Sequence, residues 1–160
     1  MKPIKELEFE RVYDAPVDVV WSAWTDPEKI RQWWGPDNVT IRECELELRV
    51  GGRFYVVMEA GEGMGSYKGT RWPMEATLTA VQPKVKLAYT ANAWTEGQKE
   101  DTHIGQTTEI AFSDQSGKTH IHIKATINEL GPKAGMAVQG MQYGYNQQLE
   151  KLSNFLVGNR

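Results

Sequence analysis

A chain of 160 residues and 18.1 kDa, 40% apolar and 24% charged, is most simply one globular domain spanning 1–160. A net charge of −3 argues against a phosphate-binding surface, so no nucleic-acid partner is expected. No run of about 18 apolar residues offers a stable membrane insertion. The single cysteine, Cys44, excludes an internal disulfide framework, and Met-Lys-Pro-Ile-Lys-Glu at the start lacks the apolar core of a signal peptide, so a cytoplasmic location is expected.

Ile4 to Tyr13 alternates, with Leu7, Phe9, Arg11 and Tyr13 on one face and Glu6, Glu8 and Glu10 on the other, which reads as a half-buried strand. Asp14-Ala15-Pro16 ends it. Val17, Val20, Trp21 and Trp24 then recur at helical spacing, and a second short helix follows with Ile30, Trp33 and Trp34 as its apolar side. Its start is capped either by Thr25 with Glu28 or by Asp26 with Pro27 in the first turn, and Gly35-Pro36 stops it. From there the pattern is strand after strand. Val39–Val50 ends in Gly51-Gly52, and Arg53–Ala60 is the next. Gly61, Gly63 and Gly65 mark a mobile loop. Ser66–Val81 is interrupted at Pro73, which marks an edge or a bulge because proline cannot donate to a ladder. Val85–Ala93 alternates, Thr95–His103 is polar, and Ile104–Phe112 and Thr119–Ile127 flank the turn Asp114-Gln115-Ser116-Gly117 as a hairpin.

Ala134–Leu156 closes the chain as one long amphipathic helix, with Met141, Tyr145, Leu149, Leu152 and Leu156 on one face and Gln142, Asn146, Glu150 and Ser153 on the other. Gly135, Gly140 and Gly144 interrupt its first half, each interior glycine costing roughly 1 kcal/mol against alanine. Gln148 falls within the apolar stripe, where a buried amide needs a partner. Small residues and a polar group on that face suggest a space between helix and sheet. The predicted class is α+β: a strand, two short helices, about six further antiparallel strands and a long helix.

Several residues invite chemistry and are answered more simply. His120 and His122 share a strand face, but Ile121, Ile123 and Ile127 take the other, so the histidines point to solvent and no metal is expected. His103 lies in a polar loop beside Glu100 and Asp101, as a weak general-base candidate. Cys44 reads as a small buried residue. Glu75 and Glu109 read as surface carboxylates and Arg71 as a solvated cation. No phosphate loop, nucleophilic triad or cofactor motif is present, so no cofactor is expected.

Phe9-Glu10-Arg11-Val12-Tyr13-Asp14-Ala15-Pro16 with Val19-Val20-Trp21 resembles the opening of the START-like (SRPBCC, helix-grip) superfamily. Trp24-Thr25-Asp26-Pro27-Glu28, Arg31-Gln32-Trp33-Trp34-Gly35-Pro36 and Leu48-Arg49-Val50-Gly51-Gly52-Arg53-Phe54 resemble its branch related to the activator of heat shock protein 90 ATPase. Gly140-Met141-Gln142-Tyr143-Gly144-Tyr145 through Leu149-Glu150-Lys151-Leu152 resembles that branch's last helix, with Tyr145 where tryptophan is usual. The resemblance implies a curved antiparallel sheet of six or seven strands gripping the long helix, with an apolar ligand held between them. Three functions then stand open: a carrier or sensor of a small hydrophobic molecule, a co-chaperone acting on a chaperone ATPase, or a cyclase- or hydrolase-type enzyme. A two-fold dimer through exposed tryptophans or an edge strand stays open as well.

The expected cavity is lined from the helix by Met141, Tyr145, Gln148 and Leu152. Opposite them stand Tyr89, Ala91, Ile110, Phe112 and Ile123, with Trp34 and Trp72 nearer the mouth. Gln148 and the Tyr89 and Tyr145 hydroxyls supply the polar contacts. In the competing arrangement the core is fully packed and Gln148 bonds a strand carbonyl.

Overall fold

The computed structural model describes residues 3–158. Strand β1 (Lys5–Tyr13) leads into helices α1 (Val17–Thr25) and α2 (Pro27–Trp33). Strands β2 (Val39–Leu46), β3 (Arg53–Ala60), β4 (Arg71–Gln82), β5 (Lys86–Ala93), β6 (Ile104–Gln115) and β7 (Lys118–Leu130) follow, with a short helix α3 (Lys99–Thr102) before β6. Helix α4 (Gly135–Gly158) ends the described chain. The strands form one antiparallel sheet in the order β1-β7-β6-β5-β4-β3-β2, so β2 to β7 is a meander and β1 returns to pair with β7. This is the expected helix-grip arrangement.

Local chemistry accounts for the joints. Of the two caps open to α2, Asp26 is the one used: its Oδ1 accepts the Glu28 N–H at 3.0 Å with Pro27 in the first turn, while the Thr25 hydroxyl donates back to the Trp21 carbonyl at 2.8 Å. Ser116 and Gly117 both have positive φ, 55° and 88°, which suits a two-residue hairpin whose twist matches its strands.

Three expectations are corrected. The strand expected over Val39–Val50 ends at Leu46, because the chain folds back on itself there: Arg49 N–H donates to the Glu47 carbonyl and Gly52 N–H to the Arg49 carbonyl, both at 2.8 Å. The strand expected from Ser66 starts only at Arg71, because the glycine-rich segment forms a 3-10 turn over Glu62–Tyr67. Pro73 lies on neither an edge nor a bulge, since β4 is flanked by β3 and β5 and its irregularity falls between Leu78 and Ala80. Proline is tolerated there because its carbonyl, which accepts from Trp94 N–H at 3.1 Å, faces the point where β5 has ended, so its missing donor breaks no ladder bond.

Helix α4 crosses the concave face with Leu149, Leu152 and Leu156 buried against it. Two groups of polar contacts fix its position. From β1, the Tyr13 hydroxyl donates to the Leu149 carbonyl at 3.1 Å and Arg11 Nη2 donates to Asn146 Oδ1 at 2.6 Å. The other group seizes the loop after α2. Gln148 Oε1 accepts the Gly35 N–H at 2.9 Å, Gln147 Oε1 accepts the Asp37 N–H at 3.0 Å, and Lys151 Nζ donates to the carbonyls of Trp34, Gly35 and Pro36 at 3.1, 3.3 and 3.3 Å. Burial pulls the Lys151 pKa down, and Asp37 offsets part of that effect.

Gly35 is required at the centre of this clamp. Its φ is +84°, and a Cβ there would stand 2.8 Å from Met58 Sδ and 2.9 Å from Val39 Cγ2. Replacing Gly35 by alanine is expected to lower folding stability by about 2–4 kcal/mol, from the left-handed backbone and the overpacking together, measured as a lower urea midpoint at unchanged m-value.

Candidate functional site

The candidate site is the strip of concave sheet beneath the first half of α4. Period-two alternation brings one residue from each strand into rungs that cross the sheet. One rung runs Leu7, Ala125, Thr108, Tyr89, Leu78, and the next runs Ile127, Gln106, Ala91, Ala76, Phe54. At the middle of the sheet, polar Gln106, Thr108 and Tyr89 thus sit among alanines, and all of them are buried. From above, Tyr145 stacks on Phe9 with ring centroids 5.1 Å apart, and its hydroxyl reaches toward the same polar group.

The polar atoms here are poorly matched. Gln106 Oε1, Thr108 Oγ1 and Gln148 Nε2 are fully buried and have no hydrogen-bond partner. Burial raises the pKa of both Tyr89 and Tyr145, in each case as the largest cause. Thr108 partly offsets the shift at both hydroxyls and Gln106 does so at Tyr145. These offsets come from side-chain hydrogen bonding, so the Thr108 and Gln106 side chains reach the tyrosine hydroxyls, although neither Thr108 Oγ1 nor Gln106 Oε1 makes a bond of good geometry. Leaving a buried donor or acceptor unpaired costs about 1–3 kcal/mol.

The residues expected to line the site divide. Tyr89, Ala91, Ile110, Ile123 and Leu152 are buried on the helix-facing side of the sheet or on α4, and Ile110 pairs directly with Ile123. Met141 and Tyr145 are half-buried and pack on the same core. Phe112 instead joins a ring cluster under α1, 5.2 Å from Trp21 and 6.4 Å from Trp24. Trp34 is also in that cluster rather than near a mouth: it is 7% exposed and lies 5.7 Å from Trp33 and 5.5 Å from Phe54. Trp72 is half-buried opposite Met58 at the end of β4. Gln148 is half committed, its oxygen bound to the Gly35 loop and its nitrogen free.

The glycines of α4 do not face the sheet. A Cβ on Gly135 or Gly140 would meet nothing within 4 Å, and on Gly144 only the Pro36 Cβ at 3.8 Å. The small residues on the helix-facing side of the sheet are Ala76, Ala91 and Ala125 instead, all buried. Two clefts stand out on the described surface, of about 230 and 370 Å³, and both are elsewhere. The first lies between α1 and the end of α4, beside Ser22, Lys29 and Phe155, and the second along the outer side of α4, beside Tyr143, Glu150 and Lys151.

Gln106 and Thr108 were within reach of sequence reasoning, because they share parity with Ile110 and Phe112 on one strand. Selecting only the apolar members of that face passes over them.

The remaining candidates resolve as structural or surface groups. His122 Nε2 lies 3.1 Å from Glu8 and His120 Nε2 3.9 Å from Glu10 on the outer face, and no metal-holding cluster occurs among the described residues. His103 meets Glu129 at 3.0 Å and the Lys99 carbonyl at 3.2 Å, not Glu100 or Asp101. Glu75 pairs with Arg53 and Glu109 with Lys86, on strands separated by β5, so they cannot act as an acid–base pair. Arg71 is held by Glu59 at 3.0 Å. Burial pushes the Cys44 thiol up to about 11, which leaves it unreactive at neutral pH.

Residues 14–156 match the model of the family described as Activator of Hsp90 ATPase homolog 1-like protein. The chain belongs to this family. Solved structures agree with the family's fold over nearly the whole length. Protein NE0264 from Nitrosomonas europaea superposes with a TM-score of 0.77 at 24% identity, covering 96% of this chain and 95% of that one. The AHSA1 protein from Silicibacter pomeroyi gives 0.73 at 20% identity, with 98% and 100% covered, and a protein from Arthrobacter aurescens gives 0.73 at 21%, with 96% and 86% covered. At these identities the likeness concerns the fold alone. No curated protein matches the chain. Among the described residues no helix is long and apolar enough to cross a membrane.

The buried hydroxyls and thiol carry a pH signature. Tyr89 and Tyr145 have folded pKa values raised above 10.0, and Cys44 is raised from 9.0 to about 11. Each therefore contributes stability that is complete below its unfolded pKa and is lost as pH rises toward the folded one. The contribution of these three groups should hold level up to pH about 9 and fall above it, by at most about 1.4 kcal/mol per pH unit for each, while the lowered Lys151 pKa acts in the opposite sense. Tyr89→Phe should make the alkaline fall shallower, as read from unfolding midpoints at pH 8 and 10.5 (about one titrating group fewer).

Proposed function

We propose that the chain binds a small, mainly apolar molecule between α4 and the concave face of the sheet, as a carrier or sensor. The observation that carries this reading is the pair of unpartnered polar atoms on β6, Gln106 Oε1 and Thr108 Oγ1, buried beneath α4 among alanines, with Gln148 Nε2 also unpartnered on the helix itself. A core selected only for stability would replace such groups with apolar ones or pair them. A ligand with an apolar body and a polar point would cover the alanines and meet the stranded atoms at once. The helix-grip fold supports the reading, since the family's architecture is one used for holding ligands. The first half of α4 is the element best suited to admit one: Gly140 and Gly144 weaken it, and Val138 is the one buried residue it carries before Gln148.

Native mass spectrometry of the freshly purified chain tests this directly, with an aminonaphthalene dye as a second readout. Ala91→Leu places a larger side chain on the rung beside Gln106, and the variant is expected to bind the dye at least tenfold more weakly while remaining folded by circular dichroism. Ala91→Val serves if the leucine variant does not fold. A bare chain in the spectrometer, together with unchanged dye affinity in a folded variant, defeats the reading.

A further inference from the structure

The stranded atoms also say what the ligand's polar point must be. Gln106 Oε1 is an acceptor in want of a donor. Thr108 Oγ1 and the Tyr89 and Tyr145 hydroxyls each carry a proton to give and a lone pair to receive with. A hydroxyl is the smallest group that serves both needs at one position. We propose that the site beneath α4 selects neutral, hydroxyl-bearing aromatic or alicyclic molecules, and discriminates against both their ethers and the matching carboxylates.

The inference rests on the binding reading above and narrows it. An ether can accept but cannot satisfy Gln106 Oε1, which would stay buried and unpaired. A carboxylate brings charge into a place prepared for none. Burial raises the pKa of both tyrosines, and no lysine or arginine offsets the shift at either. A group that keeps phenols from ionising will also exclude a carboxylate. Two cations share the concave side of β1: Arg11 is engaged with Asn146 through Nη2 and with the Glu10 carbonyl through Nη1, and Lys5 stands at the strand's edge opposite Ile127, the far end of the rung that carries Gln106. Ring shape in the ligand follows from the walls: Phe9 and Tyr145 are stacked, and the Phe54 and Tyr89 rings meet edge to face at 5.4 Å, so flat apolar surfaces border the polar group on both sides.

The test uses three probes of one size, 1-naphthol, 1-methoxynaphthalene and 1-naphthoate, titrated at pH 7 against the tryptophan fluorescence of the full chain, with calorimetry as a check on inner-filter effects. Naphthol is expected to bind about tenfold more tightly than the methyl ether, the effect of pairing one buried acceptor, and naphthoate not measurably. Thr108→Val and Gln106→Leu, made separately so that one folded variant suffices, should bring naphthol and ether to within about twofold of one another. Equal affinity of naphthol and ether in the wild-type chain overturns the inference while leaving ligand binding intact. So does a preference for naphthol that survives in both folded variants, or tight binding of naphthoate. If none of the three probes binds, the binding reading fails and the inference falls with it.

Discussion

One ammonium group holds the architecture to its helix. Lys151 Nζ gathers the carbonyls of Trp34, Gly35 and Pro36, while Gln148, one turn earlier, takes the N–H of Gly35. A stretch of loop with no secondary structure of its own thereby has its backbone groups satisfied by a helix more than a hundred residues away in sequence. The cation tolerates partial burial because three dipoles point at it, and the loop tolerates a left-handed glycine because the helix fixes it there. Helix α4 cannot shift along the sheet without breaking these bonds together.

What the clamp fixes is passed on through rings. Trp34, held by its own carbonyl, meets Phe54 at 5.5 Å, and Phe54 meets Tyr89 at 5.4 Å. On the other side, Trp33 and Trp24 are 4.6 Å apart and continue to Phe112. The aromatic cluster is therefore more than filler for one end of a curved sheet. It joins Tyr89, one of the sheet's three contributions to the polar group under the helix, to the Trp34–Asp37 loop. The same clamp does not extend to the first half of α4, where Val138 is the one buried residue before Gln148.

The fold was legible because its signals are periodic. Leu7, Phe9 and Tyr13 against Glu6, Glu8 and Glu10 declare a strand, and Tyr145, Leu149, Leu152 and Leu156 a helix. The buried rows of the sheet match those alternations residue by residue. The boundaries that failed lie where tertiary contacts overrule local pattern: Leu48 and Val50 alternate like a strand yet belong to a turn, and Pro73 looks like an edge yet sits where its neighbour has run out. The site was half legible. Strand parity gave Tyr89, Ala91, Ile110 and Ile123, but parity cannot tell which rungs neighbour each other, so Thr108 beside Tyr89 was invisible until the register was known. The helix glycines misled for a related reason: a wheel gives angles about an axis, and the angle at which that axis meets the sheet is set by the Trp34–Asp37 loop, which no periodicity encodes.

The order of the strands has a consequence for how such a chain assembles. Strands β2 to β7 each pair with a sequence neighbour, so the meander can grow by successive local closures, each over a short connection. Strand β1 has no such neighbour. Its partner β7 lies across most of the chain, with Lys5 opposite Ile127 and Tyr13 opposite Thr119. Non-local pairings of this kind slow folding, because the entropy of closing the long loop is lost before the contacts compensate it. The first strand of the sheet in chain order is thus among the last that can find its place. Until it does, one flank of β7 stays unpaired, Phe9 is missing from beneath Tyr145, and the polar group under α4 stands open on that side.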